Sequence, residues 1–503
     1  MWFLFCICHT KLIYFNFIVN HLHYSFHIDE VVEAMIKILE QKTWLILIIA
    51  AATFLDRLDL TIVNIAIPHL STVFHVSVTQ MDWVSNSYLI ALACFIPVSG
   101  WLGARYSLKN VFLFATAIFA IGTLLCAFSF NLSSMVAFRF IQGIGGAMII
   151  PVGMAILYNT FHIEEYASVT ACIFLPSLIA PALAPFLGAV IMTTINWHWI
   201  FLLAVPVCIF IYISAIVVIP NEPRPITERP PLDIFGVVLI CGLFIILQLF
   251  FSYSGKYGLT FYSPMILLLI ALLAYIGYRY ESWHKNPLIN LNYFKNRTFV
   301  TANLIQLAFQ ACHFGSFFLI GLYLQVGLGF SAINTGLILG MQAIGAIVMN
   351  RPAVYFYKKH GPRLQIIIGL SGIAVLSYAI LFLIRDNTTP ALYSGLLILF
   401  LRGLFSGVCG TPIQTLSVIS FQKSEMGHVN ALFNMCRQMA ISFGIAISAV
   451  LISMGAKLNH DSLAGALQPY TTTYSTFHYA FMLIPVFCLL GIITMLLYKP
   501  HSI

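Results

Sequence analysis

Charged side chains are scarce in this 503-residue chain, where Asp, Glu, Lys and Arg together make up only 8%. Soluble domains carry about 25% charged residues, so the composition excludes an ordinary soluble protein. Hydrophobic residues account for 60% of the chain, and the mean hydropathy is +0.95. The sequence therefore predicts an all-α integral membrane protein.

The motifs of enzymes and of metal sites are also missing. The eleven cysteines are scattered through apolar runs, apart from Cys6 and Cys8, and no CxxC spacing recurs, so neither a disulfide framework nor a metal site is predicted. No P-loop, HExxH or GxSxG occurs in a supporting context. We therefore expect no catalytic residue, no cofactor and no metal. The net charge of +8 does not indicate a nucleic-acid partner, and the placement of the basic residues indicates the membrane topology instead.

Apolar runs of about 20 residues, the length that a bilayer-spanning helix needs, recur from Trp44 onward. They predict about fourteen membrane helices. An even number places both termini on one side of the membrane. The predicted spans are 44–66, 82–103, 110–129, 132–157, 166–191, 199–219, 232–252, 263–281, 299–325, 332–356, 364–384, 391–419, 430–455 and 477–498.

The basic residues between the spans predict the orientation, because cytoplasmic loops are enriched in Lys and Arg. With the N-terminus inside, the external loops receive only Lys256, Arg385 and Lys457. We therefore expect a cell (inner) membrane protein with both termini cytoplasmic. The cytoplasmic side then receives Lys37, Lys42, Arg105, Lys109, Arg224, Arg229, Arg279, Lys285, Lys295, Arg297, Lys358, Lys359, Arg363, Lys423 and Lys499.

Two long polar connections, 220–233 and 280–298, divide the chain. They predict a lead (1–43), a six-helix half (44–219), a linker with two extra helices (220–298), a second six-helix half (299–498) and a short tail (499–503). Duplicated halves are typical of transporters whose substrate site lies near the midplane. Residues 1–34 lack the features of a signal peptide, and we interpret Met35 as the true start.

The first span carries Asp56, Arg57 and Asp59. An ionised side chain near the bilayer centre costs roughly 2.5 kcal/mol or more, and we expect these two aspartates to be the only buried carboxylates. They fall on roughly one helix face, with Arg57 about 100° away. Arg57 could neutralise one aspartate in a structural pair. We favour the alternative, in which at least one aspartate takes up and releases a proton, because a pair needs only one acid.

Four stretches resemble motifs of one transporter family. They are LDLTIVNIAIP (58–68), RFIQGIGGA (139–147), NWHWIFLLAVP (196–206) and LFNMCRQMAISFGIAI (432–447). In this order they resemble the major facilitator superfamily, and within it the fourteen-helix drug:proton antiporters, from about Trp44 to the C-terminus. The resemblance implies the major facilitator fold, two six-helix halves plus two inserted helices.

The resemblance also implies site residues. Asp59, Asp56 and Arg139 would couple proton movement, although Arg139 could instead be a structural partner of a carbonyl or of Asp59. The substrate cavity would include Arg57, Asn64 and Gln142. A polar stripe on the ninth helix would face it from the second half, because its spacing places it on one helix face; interhelical hydrogen bonding is the alternative. The stripe consists of Asn303, Gln306, Gln310 and His313.

Gating and packing would fall to Gly100, Arg105, Pro185, Gly188 and Arg437. After the second helix, Gly100 and Arg105 match the superfamily loop, but Ala104 stands where that loop has an aspartate. This departure implies a rewired or weaker cytoplasmic gate. In the fifth helix, small residues would allow close contact and Pro185 would bend the backbone, forming a seal between the halves.

These features predict a proton-coupled secondary transporter that exports amphipathic or cationic compounds by alternating access. Its partners would be the small-molecule substrate, protons and the lipid bilayer, with a periplasmic adaptor left open. One rival is a major facilitator transporter of a siderophore, anionic metabolite or peptide, in which Arg57, Arg139 and Arg402 bind the substrate. The other is a non-transporting membrane receptor or a membrane-embedded enzyme.

Overall fold

A computed structural model describes residues 28–76, 78–221, 233–257, 261–284, 287, 289–458 and 473–498. These residues are mostly helical, and they include no β-strand. Most of the segment that we interpret as non-native (1–27 of 1–34) and the tail 499–503 lie outside the described residues.

Fourteen helices correspond to the fourteen predicted spans, so the prediction of about fourteen is confirmed. A single helical turn, Trp199–Leu202, precedes the sixth of these helices, and the ninth continues into a π-helical turn, Tyr323–Gly327. The helices are α1 Ile28–Val73, α2 Val78–Arg105, α3 Leu108–Ala127, α4 Leu132–Thr160, α5 Tyr166–Thr194, α6 Ala204–Val218, α7 Ile234–Tyr257, α8 Ser263–Trp283, α9 Arg297–Leu322, α10 and α11 within Ala332–Leu383, α12 Thr389–Val418, α13 Met426–Leu458 and α14 Thr473–Leu497.

The helical stretch Ala332–Leu383 is two helices joined at Gly361, whose φ of 71° and ψ of 177° are not helical. Residues with a Cβ rarely adopt this conformation, but glycine does so easily. Pro362 follows at the first position of the next helix, where its missing N–H leaves no hydrogen bond unmade. We therefore number 332–360 as α10 and 362–383 as α11.

The two halves, α1–α6 and α9–α14, repeat one packing arrangement. In the first half, a Cβ on Gly143 of α4 would overlap Tyr88 and Ala91 of α2. In the second half, a Cβ on Gly403 of α12 would overlap the backbone of Gln342 of α10. The second and fourth helices of each half therefore cross closely enough that only glycine fits.

The halves touch at the end of the bundle that the charge pattern predicts to be cytoplasmic. Asn350 of α10 donates to the carbonyl of Ala171 in α5 at 2.8 Å, and Lys423 donates to the carbonyl of Asn159 at 2.7 Å. A Cβ on Gly100 of α2 would lie 3.1 Å from that of Ala431 in α13. Both hydrogen bonds end on backbone carbonyls, and neither acceptor is a carboxylate.

Arg105, at the end of α2, lies over two neighbouring aromatic rings. Its guanidinium is 5.6 Å from the centre of the Trp101 ring and 5.8 Å from that of Tyr106. Nearby, the turn Leu291–Lys295 before α9 packs Tyr293 against Phe421. Burial raises the pKa of the Tyr293 hydroxyl to about 12, so this ring stays neutral at cellular pH.

Two further carboxylates are buried near the start of α7 and the end of α8, so the prediction that Asp56 and Asp59 are the only ones is wrong. Asp233 is 7% exposed and Glu281 is 5% exposed. Asp233 accepts hydrogen bonds from the backbone of Gly236 at 2.9 Å and from Tyr280 at 2.7 Å. The start of α7 offers Asp233 a free N–H donor in place of water, and the backbone N–H of Ile289 donates to Glu281 at 3.1 Å.

Cys312 of α9 and Cys488 of α14 bring their sulfur atoms within 3.2 Å of each other. A disulfide requires about 2.05 Å and little backbone movement at such a separation. We expect a membrane-permeant oxidant to join them, giving a cross-linked peptide pair in mass spectrometry without reduction. Cys488→Ser should abolish this pair. Failure to form it in the unmodified protein would contradict the packing of α9 on α14.

Candidate functional site

An ion pair between α1 and α4 lies in the interior of the first half. Arg139 Nη1 is 2.5 Å from Asp59 Oδ2, and the two side chains are only 1% and 6% exposed. A charge-assisted hydrogen bond of this kind is stronger than a neutral one. Neither charged group is exposed to water, so each can stay buried and ionised only because the other lies beside it. Arg139 is therefore the partner of Asp59, as one reading of the sequence proposed.

Gln142 completes this pair from the next turn of α4. Its Oε1 accepts from Arg139 at 2.5 Å, and its Nε2 donates to Asp59 Oδ1 at 3.0 Å and to Thr123 of α3 at 2.7 Å. Arginine can only donate, which fixes the orientation of the amide. Residues three apart on a helix are neighbours on its surface, and this is the structural meaning of the RxxQ spacing. Gln142, predicted for the substrate cavity, is fully buried here.

Asp56 has different partners. It accepts a hydrogen bond of 2.6 Å from the hydroxyl of Tyr88 in α2, and Arg57 Nε lies 3.7 Å from its other oxygen. The Tyr88 ring also lies 4.5 Å from the guanidinium of Arg139, a cation–π distance. Tyr88 therefore connects the two aspartates. The sequence reasoning missed it, although a tyrosine within a span needs a partner for its hydroxyl.

Gly146 of α4 makes room for this hydrogen bond. A Cβ at Gly146 would lie 2.2 Å from the Tyr88 hydroxyl oxygen and 3.0 Å from Asp56 Oδ1. The neighbouring Gly145 lies against the backbone of Phe119 in α3. The glycines of RFIQGIGGA thus allow close packing, and Gly146 additionally accommodates the Tyr88–Asp56 hydrogen bond.

Arg57 and Arg437 approach the site from opposite halves. The side chain of Arg57 in α1 is 20% exposed, and Arg437 of α13 is partly exposed. Arg437 interacts electrostatically with both Asp56 and Arg57. These two arginines, unlike Arg139, retain surface on which a small molecule could bind.

The second half has its own buried arginine, Arg402 of α12, which is fully buried. It donates to Ser377 of α11 at 2.7 Å, to the Gln342 side-chain oxygen and to the Ser316 hydroxyl. A longer contact of 3.5 Å reaches the carbonyl of His313 in α9. Within the described residues, the hydrogen-bond partners of Arg402 are all neutral.

These contacts determine the protonation of His313, which the sequence placed in the cavity. Because Arg402 donates to Gln342 Oε1, the Gln342 amide nitrogen must donate to His313 Nε2, 3.1 Å away. The His313 proton is then on Nδ1, 3.2 Å from Ser406. His313 is therefore a neutral, hydrogen-bonded side chain within the Arg402 cluster.

The remaining predicted residues have simpler surroundings. Asn303 donates to the carbonyl of Phe299 one turn earlier at 2.9 Å, while Gln306 and Gln310 are buried on the same side of α9. Gly188 is buried in α5. The side chains of Asn64 and Pro185 lie outside the described residues. No group suited to a metal ion occurs among the residues that the structure describes.

The arginine clusters of the two halves are related by the internal duplication. Each arginine is on the fourth helix of its half and binds the first, with Asp59 of α1 corresponding to Ser316 of α9. On the second helices, Tyr88 of α2 corresponds to Gln342 of α10. The third helix of each half contributes a hydroxyl: Thr123 of α3 accepts from Gln142, and Ser377 of α11 accepts from Arg402. The arrangement is shared, but in the described clusters the carboxylates occur only in the first half.

Comparison with known families agrees with this duplication. The sequence profile of the Major Facilitator Superfamily matches residues 49–445. The chain belongs to this superfamily. It is a multi-pass membrane transporter and not an enzyme.

Curated relatives match most of the length of the chain. The chain is 30% identical over 446 residues to the "Putative multidrug resistance protein MdtD" of Klebsiella pneumoniae (strain 342), covering 87% of this chain and 91% of the relative. It is 30% identical over 415 residues to the protein of the same name from Shigella flexneri serotype 5b, covering 82% and 86%.

Solved structures confirm the major facilitator fold. The human organic anion transporter MFSD10 superposes with a TM-score of 0.59 at 15% identity, over 90% of this chain and 99% of that one. The proton:xylose symporter XylE gives 0.62 at 14% identity, over 91% and 95%. At such identities the likeness concerns the fold alone.

Gly146→Ala should destabilise this transporter by about 1–3 kcal/mol, the usual range for an overpacked core, because its methyl group overlaps Tyr88 and Asp56. Tyr88→Phe in the same chain removes the overlapping oxygen and should recover part of the loss. Thermal unfolding in detergent, compared across the two single variants and the double variant, measures this coupling. Strict additivity would show that Gly146 and the Tyr88 hydroxyl do not meet.

Proposed function

We propose that this transporter exports amphipathic compounds, cations among them, in exchange for protons. The Asp59–Arg139 ion pair supports the proposal, since a buried carboxylate paired with an arginine could exchange that partner for a proton. The relatives named as multidrug resistance proteins support export of chemically varied compounds. We place the protein in the cell (inner) membrane with both termini cytoplasmic, and we retain 44–219 and 299–498 as the moving halves.

In this proposal a proton and Arg139 compete for Asp59. Protonation removes the carboxylate charge and leaves Arg139 buried without a counter-ion, a costly state in a membrane interior. The pair must then separate, and Gln142, which is hydrogen-bonded to both members, loses this bridging position. Tyr88 carries the rearrangement to Asp56, because it contacts both Arg139 and Asp56.

A cationic substrate would be coupled to protons through the same carboxylates. It interacts favourably with an ionised aspartate and loses that attraction when the aspartate is protonated, so substrate and proton exclude one another. Alternating movement of the halves about the shared site then gives antiport. The contacts at the predicted cytoplasmic end correspond to the step in which that side is closed.

Asp59→Asn should abolish substrate-dependent proton flux in proteoliposomes that contain a pH-sensitive dye, with tetraphenylphosphonium as the test cation. Asp56→Asn should retain coupling, because asparagine can still accept from Tyr88. Asp59→Asn combined with Arg139→Gln removes both charges of the pair, so misfolding caused by an unpaired arginine cannot account for its result. This double variant should exchange substrate without moving protons. Unchanged proton flux in both Asp59 variants would exclude Asp59 as the carrier.

A second candidate function is the transport of an amphipathic anion together with a proton. The two arginine clusters and their surroundings carry two more positive than negative charges, because four arginines (Arg57, Arg139, Arg402 and Arg437) face two aspartates (Asp56 and Asp59). Two of these arginines, Arg57 and Arg437, are partly exposed in opposite halves. An anion bound between them would relieve this surplus. Such a substrate would favour protonation of the aspartates, the opposite of what antiport requires.

The sign of the pH effect on binding separates the two candidates. We expect the affinity for tetraphenylphosphonium to fall as the pH is lowered, because protonated aspartates no longer attract a cation. The affinity for the matched anion tetraphenylborate should rise with acidification if the second candidate is correct. Equilibrium binding in detergent across pH 5 to 8, repeated with Arg437→Gln, measures both. Anion binding that weakens in the variant and strengthens in acid would favour the second candidate.

A further inference from the structure

Helix α7, the first of the two inserted helices, lies across the boundary between the halves. Cys241 of α7 places its sulfur 3.4 Å from the carbonyl of Cys94 in α2, and the sulfur of Cys94 is 3.9 Å from the carbonyl of Cys241. Further along α7, Gln248 accepts a hydrogen bond of 2.8 Å from Ser442 of α13. Cys241 and Gln248 are two turns apart and share a face. A single face of α7 therefore contacts both halves.

The two halves meet directly beneath this face. Gly100 of α2 fits closely against His428 and Ala431 of α13 at the predicted cytoplasmic end. When that end opens, α2 and α13 must separate. A rigid helix bound to both cannot follow both, so α7 has to release one of its partners.

The packing indicates which partner α7 releases. A narrow surface cleft lies mostly between α7 and α13, and Ala93 is its lining residue from α2. The α7 side is formed by Phe244, Leu247 and Gln248, and the α13 side by Met435, Gln438, Met439 and Ser442. On the α2 side, each thiol of the Cys94–Cys241 pair contacts the carbonyl of the other residue.

We propose that α7 is a state-dependent latch: the Gln248–Ser442 hydrogen bond stabilises the state closed at the cytoplasmic end, and α7 stays with α2 when α13 moves away. Gln248 is then a positioning residue that acts on the equilibrium between states and not on substrate binding. The inference rests on the proposed function only in assuming alternating access. It gives the inserted helix α7 a role in the transport cycle.

The test measures closure directly in the full-length protein in proteoliposomes. Cysteines introduced by Asn159→Cys and Lys423→Cys report closure through their rate of cross-linking by a short, water-soluble bis-thiosulfonate. Gln248→Ala and Ser442→Ala should each lower the ratio of closed to open protein on the order of threefold, the Boltzmann equivalent of roughly 0.6 kcal/mol for a hydrogen bond in a membrane. The double variant should match the single ones.

Val238→Ala is the matched control, because Val238 is on α7 but is 64% exposed on its outer surface. It should leave the cross-linking rate unchanged. An unchanged rate in the Gln248 and Ser442 variants, or additive effects in the double variant, would overturn the proposal. Because closure is read without a substrate, a failure to transport tetraphenylphosphonium would count against the proposed function and not against the latch.

A covalent tether tests which half α7 follows. Joining α7 to α13 through Gln248→Cys and Ser442→Cys, with Cys94→Ser to prevent oxidation from joining α7 to α2, should hold the cytoplasmic end closed until a reductant is added, and the single variants should not. Oxidising the native Cys94 and Cys241 should leave opening unaffected. Opening that persists while α7 is joined to α13, or that stops when α7 is joined to α2, would contradict the assignment.

Discussion

The cost of burying charge in a bilayer organises the first half of this transporter. Asp59 and Arg139 are almost completely enclosed, and neither could remain ionised there without the other. Gln142, Thr123 and Tyr88 complete the remaining hydrogen bonds and draw α1, α2, α3 and α4 to one point. In the proposed antiport, a proton that reaches Asp59 would therefore change the balance among four helices at once.

The second half repeats the arrangement without the acid. Arg402 is held by Gln342, Ser316 and Ser377, all neutral, and the same contacts keep His313 neutral. In the described clusters, the duplication has thus preserved a buried arginine that joins helices, while the carboxylates occur only in the first half. In the proposed mechanism, the first half would respond to protonation while the second moves as a body of fixed charge.

Much of the site could be predicted from the sequence, and the residues that were missed or misjudged were so for identifiable reasons. The spacing of Arg139 and Gln142 and the charged residues of the first span indicated the participants. Tyr88 was missed because an isolated tyrosine in an apolar run gives no periodic signal. Asp233 and Glu281 were taken for solvated residues, since nothing in the sequence reveals that backbone N–H groups and Tyr280 replace water around them.

The sequence by itself determined the class of the protein, because apolar runs of bilayer length, interrupted by basic loops, permit little else than a bundle of membrane helices. It also determined the family, through motifs in a fixed order. Only the tertiary structure decided which partner each charge has, that Gly146 makes room for Tyr88 and Asp56, and that α7 contacts both halves. Those facts depend on distances between helices far apart in the chain, and such distances follow from side-chain packing that no local pattern records.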